Sequence, residues 1–90
     1  MFKIIFAAQA KEDIAKLKRN EPSAHKKVIQ LLNELIDHPK TGTGHPELLK
    51  GNRSGQWSRQ ITKKHRLVYE IHDEVIEVLV LSSYGHYGDK

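Results

Sequence analysis

Hydrophobic and polar positions change their spacing several times along this chain, and each change marks the start of a new element. Phe2 to Ala7 is a mostly apolar run in which Ile4, Ile5 and Phe6 are β-branched or aromatic and no breaker intervenes, which predicts a short strand covered on both faces. From Ala8 to Asn20 the spacing becomes helical. Ala10, Ile14 and Leu17 fall on one stripe and Lys11, Glu12, Lys16 and Lys18 on the other, so an amphipathic helix is expected. Asn20, Pro22 and Ser23 then punctuate the chain: proline is tolerated at a helix start, and asparagine or serine can cap the free amides there. A second helix is expected from Ala24 to about His38, where Val28, Leu31, Leu32, Leu35 and Ile36 recur at helical intervals while Lys26, Lys27, Gln30 and Glu34 lie outside. The short link between them makes an antiparallel helix hairpin.

Pro, Thr and Gly between Pro39 and Gly44 stop the second helix and open a connection that runs to Gly55, with a short strand candidate within Pro46 to Lys50. Trp57 to Ile61, His65 to Ile71 and Val75 to Leu81 are strand-like runs separated by Thr62-Lys63-Lys64 and His72-Asp73-Glu74, an antiparallel meander. A three-residue loop at Thr62 to Lys64 pairs Ile61 with His65. It places Trp57, Ile61, Leu67, Tyr69 and Ile71 on one face, the core face, and Ser58, Gln60 and Arg66 on the other. The segment from Gly85 to Lys90 reads as a flexible end. The expected class is α+β: an N-terminal strand, a two-helix hairpin and an antiparallel meander, with the helices on an antiparallel sheet and residues 1–90 forming one domain.

Composition narrows the chemistry. No apolar run approaches the ~20 residues that span a bilayer, and Met1 to Ala8 is too short for a signal peptide, so the cytoplasm is expected and no membrane association. Cysteine is absent, which removes disulfides, thiol nucleophiles and cysteine-ligated zinc. Lys and Arg outnumber Asp and Glu by 15 to 11, a mild excess that favours polyanionic partners and that a solubility surplus also explains.

His25, His38, His45, His65, His72 and His86 form no short helical pair, so no metal site is expected, and no cofactor motif such as a phosphate-cradling glycine loop is present. The remaining groups suit cleavage of a phosphodiester through the neighbouring ribose hydroxyl. That reaction needs a base, cations around the pentavalent phosphorane, and an acid for the leaving oxygen. Glu47, Arg66 with Lys50, and His86 can fill those roles, while Tyr87 or Trp57 can stack on a base. Taken singly, each has a plainer reading: Glu47 as a solvated loop carboxylate, Arg66 as an exposed strand residue, His86 as part of a frayed tail, Trp57 and Tyr69 as core. Lys63 and Lys64 are a charged turn that can also meet phosphate.

Four blocks occur in order: Gly44-His45-Pro46-Glu47-Leu48-Leu49-Lys50, Ser54-Gly55-Gln56-Trp57-Ser58-Arg59-Gln60-Ile61, His65-Arg66-Leu67-Val68-Tyr69 and Gly85-His86-Tyr87. Together they resemble the Txe/YoeB family of the RelE-like toxins, most closely from Gly44 onward. The resemblance implies a toxin of a type II toxin–antitoxin system that cuts mRNA on the ribosome in the bacterial cytoplasm and leaves a 2',3'-cyclic phosphate and a 5'-hydroxyl without metal. It implies Glu47 as general base, His86 as general acid and Arg66 as stabiliser of the phosphorane, with Lys50, Gln60, Tyr87 and Lys64 as RNA-binding positions. It further implies inhibition by a YefM/Axe-type antitoxin whose disordered acidic end wraps the cationic surface, contact with operator DNA only through that complex, and a homodimer as one assembly. Family members often carry two consecutive arginines after the serine; here Arg59 is followed by Gln60, which leaves Arg59 as a core-side or surface residue and supplies a hydrogen-bond donor without charge at the site. His86 lies near the chain end, so catalysis there implies ordering by RNA, the ribosome or Tyr87 packing. Two other readings compete: a non-catalytic module that binds the antitoxin and regulates the operon, and a free-standing RNase acting on naked RNA.

Overall fold

The computed structural model describes residues 1–85. The apolar N-terminal run forms strand β1 (Lys3–Phe6), followed by helices α1 (Ala8–Asn20) and α2 (Pro22–Asp37) and by strands β2 (Glu47–Leu48), β3 (Gln56–Gln60), β4 (Arg66–His72) and β5 (Glu77–Ser82). The strands make one sheet in the order β1-β5-β4-β3-β2. The meander is antiparallel as expected, but β1 pairs with β5 in parallel, Ile4 opposite Val78 and Phe6 opposite Val80, so the sheet is mixed. A parallel partner needs a long connection, and the helix hairpin together with the other strands supplies it. Hydrophobic spacing does not reveal such a pairing.

The α2 stripe packs as its spacing predicts: Ala24, Val28, Leu31 and Leu35 are buried with Ala10 and Leu17 of α1 against Ile61, Leu67, Tyr69, Val78 and Val80. Trp57 and Ile71 pack against the same cluster, so the core face of the β3–β4 hairpin is the one expected. Pro22 starts α2 two residues before Ala24, and the residue ahead of it, Glu21, makes no side-chain cap, so neither Asn20 nor Ser23 plays that part. At the other hairpin, Asp73–Val75 forms a 3-10 turn and Ile76 takes φ 54, so β5 starts at Glu77 rather than at Val75. A β-branched residue in the left-handed region is rare, which is why the apolar pair Val75-Ile76 reads as strand in the sequence.

The largest fully buried side chain is Arg59, on the core face of β3. Its Nε donates to the Tyr69 hydroxyl at 3.0 Å, Nη1 to Glu34 Oε1 at 2.9 Å and the Thr43 carbonyl at 3.4 Å, and Nη2 to the carbonyls of Thr41 at 2.7 Å and of His38. Tyr69 passes its own proton to the Pro39 carbonyl at 2.9 Å. The connection after α2 is thus wrapped around a guanidinium. Glu34, expected on the outer face of α2, is instead turned under this loop and also accepts the Thr43 N–H at 2.8 Å. Partial burial pushes its carboxyl up, but the hydrogen bonds from Thr43 and Gln30 and the charge of Arg59 outweigh this and hold it below its usual range. Gly42 is required here: at φ 122, a Cβ would come within 2.4 Å of Glu34 Oε1 and 3.1 Å of Arg59 Nη1.

Two outcomes follow from this buried pair. Arg59→Ala leaves Glu34 without its cation and three loop carbonyls without the guanidinium donor, and urea unfolding should show a loss of about 3–5 kcal/mol. Because the Glu34 carboxyl is depressed on folding, its contribution is complete above about pH 4.5, the unfolded value, and is lost as pH falls through the lower folded value. The urea midpoint of wild type should therefore drop more between pH 7 and pH 3 than that of Glu34→Gln; parallel curves would remove Glu34 as a source of acid sensitivity.

Candidate active site

The loop held by Arg59 leads directly into the site. The Gly44 carbonyl accepts the Gln60 N–H at 2.7 Å, and at φ 85 a Cβ on Gly44 would approach the Gln60 carbonyl to 2.8 Å, so the chain passes β3 where only glycine fits. His45 then takes φ 52, and Pro46 turns the chain into the two-residue strand β2. Glu47 lies opposite Ser58 and Leu48 opposite Trp57. On the next pair Ser58 lies opposite Val68 and Gln60 opposite Arg66. Directly paired residues share a face, so Glu47, Ser58, Gln60 and Arg66 all project from the side of the sheet turned away from the helices.

Strand geometry sets the scale of this group. Glu47 and Arg66 are two strands apart, about 10 Å, and one two-residue step along the strands, about 7 Å. Gln60 sits between them. Both long side chains can reach a common point of phosphate size above Gln60. Glu47 is exposed, while Gln60 and Arg66 are half-buried. Ser58 is fully buried beside Glu47, and its hydroxyl has no hydrogen-bond partner among the described residues.

Lys50 is exposed just beyond β2, where the buried Leu49 anchors the chain by donating its N–H to the Gln56 carbonyl at 2.8 Å. A cleft of about 290 Å³ is lined by Glu47, Leu48, Leu49, Lys50 and Arg53. Arg53 was not singled out from the sequence; it follows Lys50 by three residues in the same loop, and its Nη1 donates to Gln56 Oε1 at 3.1 Å. A second cleft, about 300 Å³, lies on the other side of Gln60 between Lys27, Thr43, His45 and Ile61. Lys50 and Arg53 thus share a cleft with Glu47, while Arg66 shares its sheet face, a surface suited to a polyanion.

Lys64 does not join this group: its Nζ lies 3.9 Å from Glu21 Oε2, at the helix hairpin. His86 and Tyr87 lie outside the described residues. Gly85, which precedes them, accepts the Arg66 N–H at 2.9 Å, so the chain reaches the beginning of β4 immediately before His86. Among the described residues no cluster of three or more His, Asp or Glu is placed to hold a metal ion, and no helix is long and apolar enough to cross a membrane.

The chain and its fold are similar to a known group of proteins. A family model for the YoeB-like toxin of bacterial type II toxin–antitoxin systems matches residues 6–87. The chain is 38% identical over 85 residues to the toxin YoeB of Synechocystis, covering 94% of this chain and 96% of that one. The fold superposes on a YoeB/ParE toxin from Agrobacterium tumefaciens with a TM-score of 0.89 at 30% identity, over 96% of this chain and all of that chain. YoeB of Staphylococcus aureus, solved as a dimer, matches with a TM-score of 0.83 at 36% identity over 96% of this chain and 98% of that chain. The same toxin in a heterotetrameric complex with YefM matches at 0.82 and 35% over 97% and 99%. The α+β fold and the order of elements are those expected of RelE-like toxins, and the chain belongs to the YoeB-like toxins of bacterial type II toxin–antitoxin systems.

Proposed function

We propose that this toxin is a ribosome-dependent endoribonuclease that cuts mRNA by metal-independent acid–base chemistry. The observation that carries the reading is the common face of Glu47, Gln60 and Arg66, with the chain returning to the Arg66 backbone at Gly85, one residue before His86. Glu47 takes the proton of the ribose 2'-hydroxyl, and the freed oxygen attacks the adjacent phosphorus. Arg66, with Lys50, holds the extra charge of the phosphorane, and Gln60 donates a neutral hydrogen bond. His86 protonates the departing 5'-oxygen. The strand ends are a 2',3'-cyclic phosphate and a 5'-hydroxyl. Lys50 and Tyr87 hold the RNA on either side; Lys64, at the turn toward Glu21, is left for a more distant phosphate.

The ribosome supplies order as well as substrate: mRNA in the decoding site is already extended, and the mobile ribose is brought into line for attack. The acting compartment is then the cytoplasm. The Staphylococcus aureus complex with YefM supports an antitoxin of that type as the inhibitor of this chain, and the solved dimer supports a homodimer; operator DNA is then met only through the antitoxin. A non-catalytic module for antitoxin binding has no need of a carboxylate and a guanidinium converging on one face, which weighs against that alternative.

Glu47→Gln is expected to lower kcat on ribosome-bound mRNA by about a hundredfold or more, the usual worth of a general base, while changing unfolding free energy by no more than about 0.5 kcal/mol because the side chain is exposed. Undiminished toxicity in cells would count for the non-catalytic reading. A short RNA incubated with and without ribosomes separates the second alternative, since strong cleavage of bare RNA contradicts ribosome dependence.

A further inference from the structure

The residue ahead of the catalytic arginine is not a passive core histidine. His65 is buried, 1% exposed, and both ring nitrogens are engaged. Nδ1 receives the Gly85 N–H at 2.9 Å, and Nε2 lies 2.8 Å from Glu21 Oε2. An amide N–H can only donate, so Nδ1 must be the unprotonated nitrogen, and the ring proton sits on Nε2 and is given to Glu21. The hydrogen bond from His65 is the largest influence holding the Glu21 carboxyl below its usual range. The neighbouring Arg66 N–H takes the Gly85 carbonyl at 2.9 Å, so one peptide unit on each side of Gly85 is fixed to the start of β4.

The residues just before Gly85 are held as well. The Ser83 N–H donates to the buried Asp13 Oδ2 at 3.0 Å. The Tyr84 ring centroid lies 4.3 Å from that of His65 and 4.1 Å from Lys16 Nζ. Gly85 takes φ 75, the conformation that turns its N–H to one residue and its carbonyl to the next. We propose that His65, as the Nε2–H tautomer braced by Glu21, is a positioning residue that fixes the direction in which the chain leaves Gly85, on which the general-acid role proposed for His86 depends. This rests on the ribonuclease reading for its effect on rate, but the clamp itself does not.

The test uses a pair of variants. In His65→Asn the amide oxygen can occupy the place of Nδ1 and still accept the Gly85 N–H. In His65→Gln the polar end instead occupies the place of Nε2, keeping Glu21 and losing Gly85. Both remove the ring, so a purely structural histidine predicts equal damage. The expected result is slow hydrogen exchange of the Gly85 amide in wild type and His65→Asn and fast exchange in His65→Gln. The kcat on ribosome-bound mRNA should fall roughly 10- to 100-fold in His65→Gln, KM being unchanged, and remain within about threefold of wild type in His65→Asn. Equal impairment of the two variants, or a protected Gly85 in His65→Gln, overturns the proposal. Nitrogen NMR of the unaltered protein provides a reading that needs no variant: His65 should be the Nε2–H tautomer, and an Nδ1–H tautomer contradicts the clamp. If wild type cuts no mRNA on ribosomes, the ribonuclease reading fails, and the Gly85 exchange pattern still decides whether His65 holds the chain.

Discussion

Everything that positions the site depends on a charge buried where hydrophobic residues are expected. Arg59 donates through all three of its nitrogens, to Tyr69, Glu34 and the carbonyls of His38, Thr41 and Thr43. Left unpaired, a guanidinium in this position would cost several kcal/mol, so the loop is not free to adopt another path. The constraint runs along the chain: Arg59 fixes Thr41 to Thr43, Gly44 then seals onto Gln60, and Pro46 delivers Glu47 opposite Ser58. A residue on the inner face of β3 thereby sets where a carboxylate stands on the outer face. Arginine is suited to this because its planar fork satisfies several carbonyls at fixed angles, which a lysine ammonium does not.

The β3–β4 hairpin is therefore gripped at both of its margins. On one side the 38–44 loop is tied to Arg59; on the other, residues 83–85 are tied to Asp13, His65 and Arg66. Both ties use polar groups whose partners come from the helices: Glu34 of α2, Glu21 just ahead of α2, Asp13 of α1. A small domain has a limited apolar core, and here hydrogen-bonded ionic groups take over the task of fixing loops that the core cannot reach. On the outer face Glu47 is exposed at one edge, with Lys50 just beyond it, Arg66 and Gln60 are half-buried, and Ser58 and Val68 between them are buried.

Several of these features were legible in the sequence for physical reasons. The Thr62-Lys63-Lys64 turn has the length that pairs Ile61 with His65, and the Ile61 and Thr62 N–H groups do meet the His65 carbonyl, at 3.0 and 3.2 Å. From that register, alternation alone separates Tyr69 and Leu67 from Gln60 and Arg66. Other features were not legible. Glu34 falls at a solvent-side position of α2 by helical spacing, and only the folded loop shows that its partner is buried. The parallel pairing of β1 with β5 involves elements at opposite ends of the chain, where no local pattern records a register. Lys64 is by sequence a turn residue that can meet phosphate, and in the fold its Nζ lies 3.9 Å from Glu21 Oε2, a partner far back in the sequence that no local pattern indicates. Composition makes Gly85 part of a flexible end, whereas in the fold its N–H donates to His65 Nδ1 and its carbonyl accepts the Arg66 N–H.

In the mechanism proposed here the nucleophile is the ribose oxygen itself rather than water. The ends of the cut strand record that choice. Mass spectrometry of mRNA fragments recovered after cleavage on ribosomes should find a 2',3'-cyclic phosphate on the upstream piece and a 5'-hydroxyl on the downstream piece. A 3'-hydroxyl with a 5'-phosphate would mean that water attacks the phosphorus, and Glu47 and Arg66 would have no such role to play.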